Sequence, residues 1–198
     1  MVIRAVVFDI GGVLEITPDL GVHQQWETQL GLPAGEILAR MSDVWQGGSI
    51  GTITLDDVHE ALRDRLGLDD RELAQFMADL WREYLGTANT ELIEYARRLR
   101  PWYRTGIVSN SFVGAREREQ AAYGFEDLVE EIVYSHEAGF SKPDPRIYAL
   151  ICTRLNVPPG EMIFLDDVEV CVAGARHAVR YQDNAQAIAE IEKMPASP

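Results

Sequence analysis

Four short runs of this chain are apolar at their centres, and the stretches between them carry apolar residues at helical spacing. The runs are IRAVVF (3–8), RTGIVSN (104–110), EEIVYS (130–135) and EMIFLDD (161–167). Brief segments of this kind, bounded by turn formers, predict strands buried on both faces, as in a parallel sheet. HAVRY (177–181) predicts a fifth, weaker strand. Helices are predicted over 89–100, 112–123 and 145–156, the last with Asp144 as N-cap and Pro145 at its first position. Strand alternating with helix is the pattern of a doubly wound α/β sheet.

Residues 16–86 break that alternation, because they contain no convincing strand. Four helices are predicted there, over 20–30, 34–45, 55–66 (behind the cap Thr54) and 70–85. Leu73, Phe76, Met77, Leu80, Trp81 and Tyr84 fall on one face of the last, which predicts packing in a small helical bundle. The expected organisation is therefore a core of residues 1–15 and 87–198 interrupted by a helical cap at 16–86. GGSIG (47–51) lacks a preceding strand and a following Lys, so it reads as a flexible turn between cap helices, and the closing KMPASP as a frayed tail. One junction is awkward: the helix after Asp167 runs through VAGAR directly into HAVRY. Either that helix stops at Gly174 or a short loop is lacking after Arg176, and the usual length of such connections favours the second.

Charge narrows the partners. Among 198 residues, 18 Lys and Arg face 32 Asp and Glu, a net charge of −14. A field of that sign repels nucleic acid and anionic membrane, so neither is expected as a partner, and an anionic small molecule needs a local cation. Two cysteines, Cys152 and Cys171, read as buried inert thiols and point to a cytoplasmic location rather than a disulfide framework. The first ten residues are interrupted by Arg4 and Asp9, too soon for a signal peptide, and no apolar run is long enough to span a bilayer. The four tryptophans, Trp26, Trp45, Trp81 and Trp102, read as core or cap anchors, with one cap tryptophan free to line a pocket.

Chemistry collects at the strand ends. In open parallel sheets ligands sit beyond the carboxyl ends of the strands. Four predicted strands end there in polar groups: Asp9, then Ser109 with Asn110, then Ser135, then Asp166 with Asp167; Lys142 follows in GFSKPDP. VVFDIGGVL, IVSNS, KPDP and IFLDD, in this order, resemble the four motifs of the haloacid dehalogenase-like superfamily, and the helical insertion after the first resembles the cap of its subfamily I. That resemblance implies a Rossmann-like three-layer α/β core with Asp9 on the central strand. It implies Asp9 as the nucleophile that forms an aspartyl-phosphate, Ser109 and Asn110 as phosphate binders, and Lys142 as the neutralising cation. It also implies Mg²⁺ held by Asp9, by the main-chain carbonyl of Gly11 and by Asp167, with Asp166 holding a metal-bound water. Four negative groups around one lysine need such a cation on electrostatic grounds.

The resemblance departs from the family's phosphatases at Gly11, where they carry the aspartate that protonates the leaving group. General acid–base help is typically worth about 10²–10⁴-fold. The family includes a branch reading FD-x-G-x-V, some of whose members are associated with sugar phosphates. The expectation is an Mg²⁺-dependent phosphatase of a small phosphorylated metabolite, a sugar phosphate being one candidate, its proton coming from Glu15, Asp19 or His23 or being unneeded by a good leaving group. The alternatives are a 2-haloacid dehalogenase, which leaves Asp166 and Asp167 unexplained, and a binding protein for a phosphorylated ligand.

Overall fold

Ala5 and Val7 pack into one apolar core and Val6 and Phe8 into another, as the alternation of a strand buried on both faces demands. The computed structural model describes residues 2–194, so the last four residues of KMPASP lie outside the described residues. In chain order, β1 (Ala5–Phe8) leads through β2 (Glu15–Ile16) into α1 (Val22–Leu30), α2 (Glu36–Ser49), α3 (Leu55–Leu66) and α4 (Asp70–Leu85). The chain returns through β3 (Thr87–Ala88), which pairs antiparallel with β2. There follow α5 (Thr90–Leu99), β4 (Arg104–Ser109), α6 (Ala115–Tyr123), α7 (Phe125–Leu128), β5 (Glu131–Tyr134) and α8 (Ser135–Ala138). The chain then runs through α9 (Pro145–Arg154), β6 (Met162–Asp166), α10 (Glu169–Gly174), β7 (Ala178–Arg180) and α11 (Asn184–Glu192).

The main sheet has the order β5-β4-β1-β6-β7, and all its pairings are parallel. Residues of α9 and α10 cover one face, and those of α5, α7 and α11 the other, which makes the three-layer Rossmann-like core. With every strand parallel, Asp9, Ser109, Ser135 and Asp166 all emerge at one edge. The predicted strands at 3–8, 104–110, 130–135, 161–167 and 177–181 are all present, trimmed at their ends.

Between β2 and β3 lies an all-helical insertion with its own apolar core, built on Trp26, Ile37, Met41, Leu62, Phe76 and Met77 among others. Its helices have local reasons for their ends. Thr54 and Asp69 both close capping boxes, with Asp57 and Glu72 as partners. α1 starts at Val22 rather than Leu20, because the Glu83 carboxylate accepts the backbone N–H groups of Leu20 and Val22. Trp26 donates its indole N–H to Asp79 at 3.1 Å. Trp102, expected as an anchor, is 68% exposed instead. Cys152 and Cys171 are free and buried, as expected.

Two predictions need correction. GGSIG is no flexible turn: α2 continues through Gly47 and Gly48, both buried, and this segment docks the insertion on the sheet domain. Val113 donates its N–H to the Gly48 carbonyl at 3.1 Å, and the Ser135 hydroxyl donates to the Ser49 carbonyl at 2.7 Å. A Cβ on Gly48 would meet the Phe112 ring at 2.2 Å, and one on Gly51 the His136 carbonyl oxygen at 1.8 Å. Phe112 and Val113 turn toward this contact, so α6 starts at Ala115 instead of the predicted 112. At the other awkward junction the chain takes the simpler route. α10 ends at Gly174, where a Cβ would lie 2.8 Å from the Tyr148 ring, and residues 175–177 lead into β7 with no further loop.

Gly51 and Gly31 offer a clean comparison, because both have positive φ (68° and 64°) but nothing lies within 4 Å of a Cβ on Gly31. Gly51→Ala is expected to cost about 1–3 kcal/mol more than Gly31→Ala, the extra being overpacking against backbone. Urea unfolding of the two variants measures the difference; equal losses would mean that the docking contact is loose.

Candidate active site

Asp9 follows the last residue of β1 and is buried. Its Oδ1 accepts the N–H of Ile10 at 2.8 Å and lies 2.7 Å from Lys142 Nζ, whereas its Oδ2 has no hydrogen-bond partner among the described residues. The Lys142 ammonium also lies 2.7 Å from Asp166 Oδ2, and the second oxygen of Asp166 accepts the N–H of Val168. Asp166 is thus fully buried and fully satisfied, while Asp167, next to it, is half-buried with its carboxylate free of hydrogen bonds among the described residues.

Lys142 reaches the cluster from the loop before α9, and Asn110 fixes that loop. The Asn110 amide accepts the Lys142 N–H at 2.7 Å and donates to the Lys142 carbonyl at 3.1 Å. Asn110 therefore positions the lysine through its side chain, a contact the sequence motifs do not reveal. Ser109 ends β4 and is buried, with its hydroxyl 3.4 Å from the Asn110 carbonyl. Ser135 is drawn into cap docking, and its hydroxyl also accepts the Ser111 N–H at 2.8 Å. His136 lies on α8, 2.6 Å from the Ser111 hydroxyl through Nδ1, and takes no part in the carboxylate cluster.

Carboxylate oxygens of Asp9, Asp166 and Asp167 lie within 4.8 Å of one another, with Lys142 as the compensating cation. Burial pushes the Asp9 carboxyl up to about 7 against the pull of Lys142, and Asp166 beside it adds to the rise. Asp167 is raised as well, by burial and then by Asp166. Lys142 loses stabilisation by burial, yet the carboxylates of Asp9 and Asp166 hold it protonated beyond its usual range. Three crowded carboxylates sharing one ammonium form a donor set of hard oxygens short of positive charge, which suits a small divalent cation.

Gly12, which the sequence reading passed over, is required here. Its φ is +73°, and a Cβ on it would fall 2.4 Å from Asp167 Oδ2. The doubled glycine after Asp9 was the available signal: the second lets the turn pass the Asp167 carboxylate. Gly11 has no such conflict. A Cβ there would sit 3.5 Å from Thr17 Oγ1 and 3.8 Å from Glu15 Oε2, in ordinary contact. Glu15 is buried and accepts the Thr17 hydroxyl at 2.8 Å. It is the carboxyl that faces the vacated position.

A family model for haloacid dehalogenase-like hydrolases matches residues 3–178. The chain belongs to the haloacid dehalogenase-like hydrolases. Phosphatase MT3486 of Mycobacterium tuberculosis is 32% identical over 200 residues, covering 90% of this chain and 85% of that protein. Acyl-CoA dehydrogenase family member 10 of Mus musculus is 27% identical over 215 residues; the match takes in 98% of this hydrolase but only 19% of the mouse protein. A HAD family enzyme of Bacteroides thetaiotaomicron, solved with magnesium and inorganic phosphate, shares the fold at a TM-score of 0.79 and 19% identity, over 94% of this chain and 98% of its own. Among the described residues of the hydrolase no helix is long and apolar enough to cross a membrane.

Beneath the cap a second buried acid, Glu119, joins α6 to β5. The Tyr134 hydroxyl donates to Glu119 Oε2 at 2.6 Å. Burial pushes Glu119 up to about 7, against the hydroxyls of Tyr134 and Tyr84, and pushes Glu15 up to about 8. Folded values above the ordinary carboxylate range mean that folding takes up protons. This contribution is whole below about pH 4.5 and is lost as the pH rises through 7 and 8. Wild-type melting temperature is therefore expected to fall between pH 5 and pH 9. Glu119→Gln, which cannot ionise, should show a shallower fall and overtake the wild type near pH 9; parallel curves from thermal melts would remove Glu119 from this account.

Proposed function

We propose that this hydrolase is a phosphatase of small phosphate monoesters working through Asp9, in the capped subfamily I and in the branch whose first motif reads FD-x-G-x-V. The observation that carries the reading is the cluster of Asp9, Asp166 and Asp167 around the buried Lys142. A carbon-centred displacement of halide has no use for so many carboxylates, whereas a phosphoryl group needs cations, and these carboxylates can gather them.

In this reading Asp9, Asp167 and the Gly11 carbonyl would hold Mg²⁺, with Asp166 beside them adding negative charge. When bound, Mg²⁺ supplies positive charge that offsets the phosphate and the carboxylates. The remaining chemistry belongs to the chain. Oδ1 of Asp9 is held by Lys142 and the Ile10 N–H, which leaves Oδ2 as the attacking oxygen. It forms a bond to phosphorus as the bond from phosphorus to the leaving oxygen breaks, giving an aspartyl-phosphate. Ser109 and the Asn110 N–H bind the transferring oxygens, and Lys142 offsets their charge. Water then attacks the phosphorus as the bond from Asp9 Oδ2 to phosphorus breaks; its protons leave on the inorganic phosphate, and the Asp9 carboxylate is restored. Asn110 and Asp166 act as positioning residues, through the lysine they hold. The leaving oxygen finds no acid at Gly11, so esters with poor leaving groups turn over slowly unless Glu15 supplies the proton by way of Thr17.

Phosphate release from p-nitrophenyl phosphate and acetyl phosphate, with Mg²⁺ and with EDTA, tests this reading. Activity is expected only with the metal, to vanish in Asp9→Asn, and to drop about 10²–10³-fold in Lys142→Ala. Halide release from 2-chloropropionate that survives EDTA would replace the phosphatase by a dehalogenase; Mg²⁺-dependent phosphate binding without turnover would leave a binding protein. A second experiment probes the missing acid. A Cβ at Gly11 makes only ordinary contacts, and Gly11→Asp should speed hydrolysis of alkyl phosphates by up to about 10²-fold, with little gain for acetyl phosphate. Equal effects on both would show that leaving-group protonation is not what Gly11 removes.

A further inference from the structure

Between the insertion and the sheet domain lies a cavity of about 490 Å³, in the size range of small-molecule sites. It meets the reaction centre at two points: at Asn110 and Ser111, beside the Lys142 loop, and at Thr17, whose hydroxyl lies 3.5 Å from the vacated Cβ position of Gly11. Polar groups gather at that end. Away from it the walls are Leu38, Trp45, Met77, Leu80, Trp81 and Phe112, and almost all of the wall is carbon.

Few polar atoms border this apolar part. Glu83 commits one carboxylate oxygen, Oε2, to the backbone N–H groups of Leu20 and Val22. Nε2 of His23 and the indole nitrogens of Trp45 and Trp81 are sealed from solvent, with no hydrogen-bond partner among the described residues. No Lys or Arg is among the described residues that line it. A polyol in this space would bury several hydroxyls without partners, each unmade hydrogen bond costing about 1–3 kcal/mol. A second anionic group would meet no cation. Apolar carbon, by contrast, gains by leaving water, and flat rings stack well on Trp45 and Phe112, whose centroids are 5.7 Å apart.

We infer that the group carrying the phosphate is apolar, an alkyl chain or aromatic ring, and is neither a sugar nor a phosphorylated acid. This rests on the phosphatase reading, with the phosphate at Asp9 and the organic group under the cap. It also fits the absent acid, since aryl esters have good leaving groups, but the cavity argument does not depend on that chemistry.

The test must separate pocket preference from leaving-group reactivity. Hexyl and 2-phenylethyl phosphate have leaving alcohols no better than those of glycerol 3-phosphate and glucose 6-phosphate. A kcat/KM at least about tenfold higher for the first pair is expected, and equal or higher values for the second pair would overturn the inference. Leu38→Gln and Leu80→Gln put amides into the wall at positions that are not fully buried. They should narrow this preference by raising KM for the apolar esters far more than for acetyl phosphate; a uniform change across all substrates would count against the inference. If no phosphate ester is hydrolysed, the phosphatase reading fails, and the cavity is then judged by binding alone. Quenching of tryptophan fluorescence by 1-naphthylmethylphosphonate at lower concentration than by 2,3-dihydroxypropylphosphonate supports an apolar ligand; equal or reversed affinities refute it.

Discussion

One ammonium group held between two carboxylates organises this active centre. Lys142, with 1% of its side chain exposed, lies 2.7 Å from both Asp9 and Asp166, so three elements distant in sequence meet at one buried point. A buried lysine is tolerable only where its charge is matched, and the match requires the ends of β1 and β6 to be neighbours. The parallel order of the sheet provides that, and the Asn110 amide at the end of β4 holds the lysine loop in place. The same arrangement leaves Asp9 Oδ2 and the Asp167 carboxylate uncommitted. The excess of negative charge over the single lysine is what makes a divalent cation chemically apt there.

The helical insertion adds a different kind of constraint. Close backbone approaches at Gly48 and Gly51 seat it over the sheet edge, and it brings apolar side chains from α2 and α4 to face the polar strand ends. The cavity is consequently polar at one end and apolar at the other. The carboxylate cluster borders the first end and the apolar wall forms the second, so different residues govern each. Gly11 lies near the cavity's Thr17, whose hydroxyl and the Glu15 carboxylate are in contact range of a Cβ there.

Much of the fold was legible because its signals are local. Continuous apolar runs ending in Asp9, Ser109 and Asp166 announce buried parallel strands, and a stripe such as Leu73, Phe76, Met77 and Trp81 announces a packed helix. Errors arose where a distant contact overrides local preference. Gly47 and Gly48 look like turn residues, yet they remain helical because the Phe112 ring needs the space above Gly48. Trp102 looks like an anchor by composition and is exposed, since burial is decided by what packs beside it.

For the site the division is similar. The order and spacing of the polar residues determined by themselves which side chains stand at the strand ends, because a parallel sheet sends every such end to one edge. They could not determine that Asn110 serves Lys142 through its side chain, that Gly12 must yield space to Asp167, or that Leu38, Trp45 and Leu80 form one wall. Those facts are distances between residues far apart in the chain, and only the packing of the insertion against the sheet creates them.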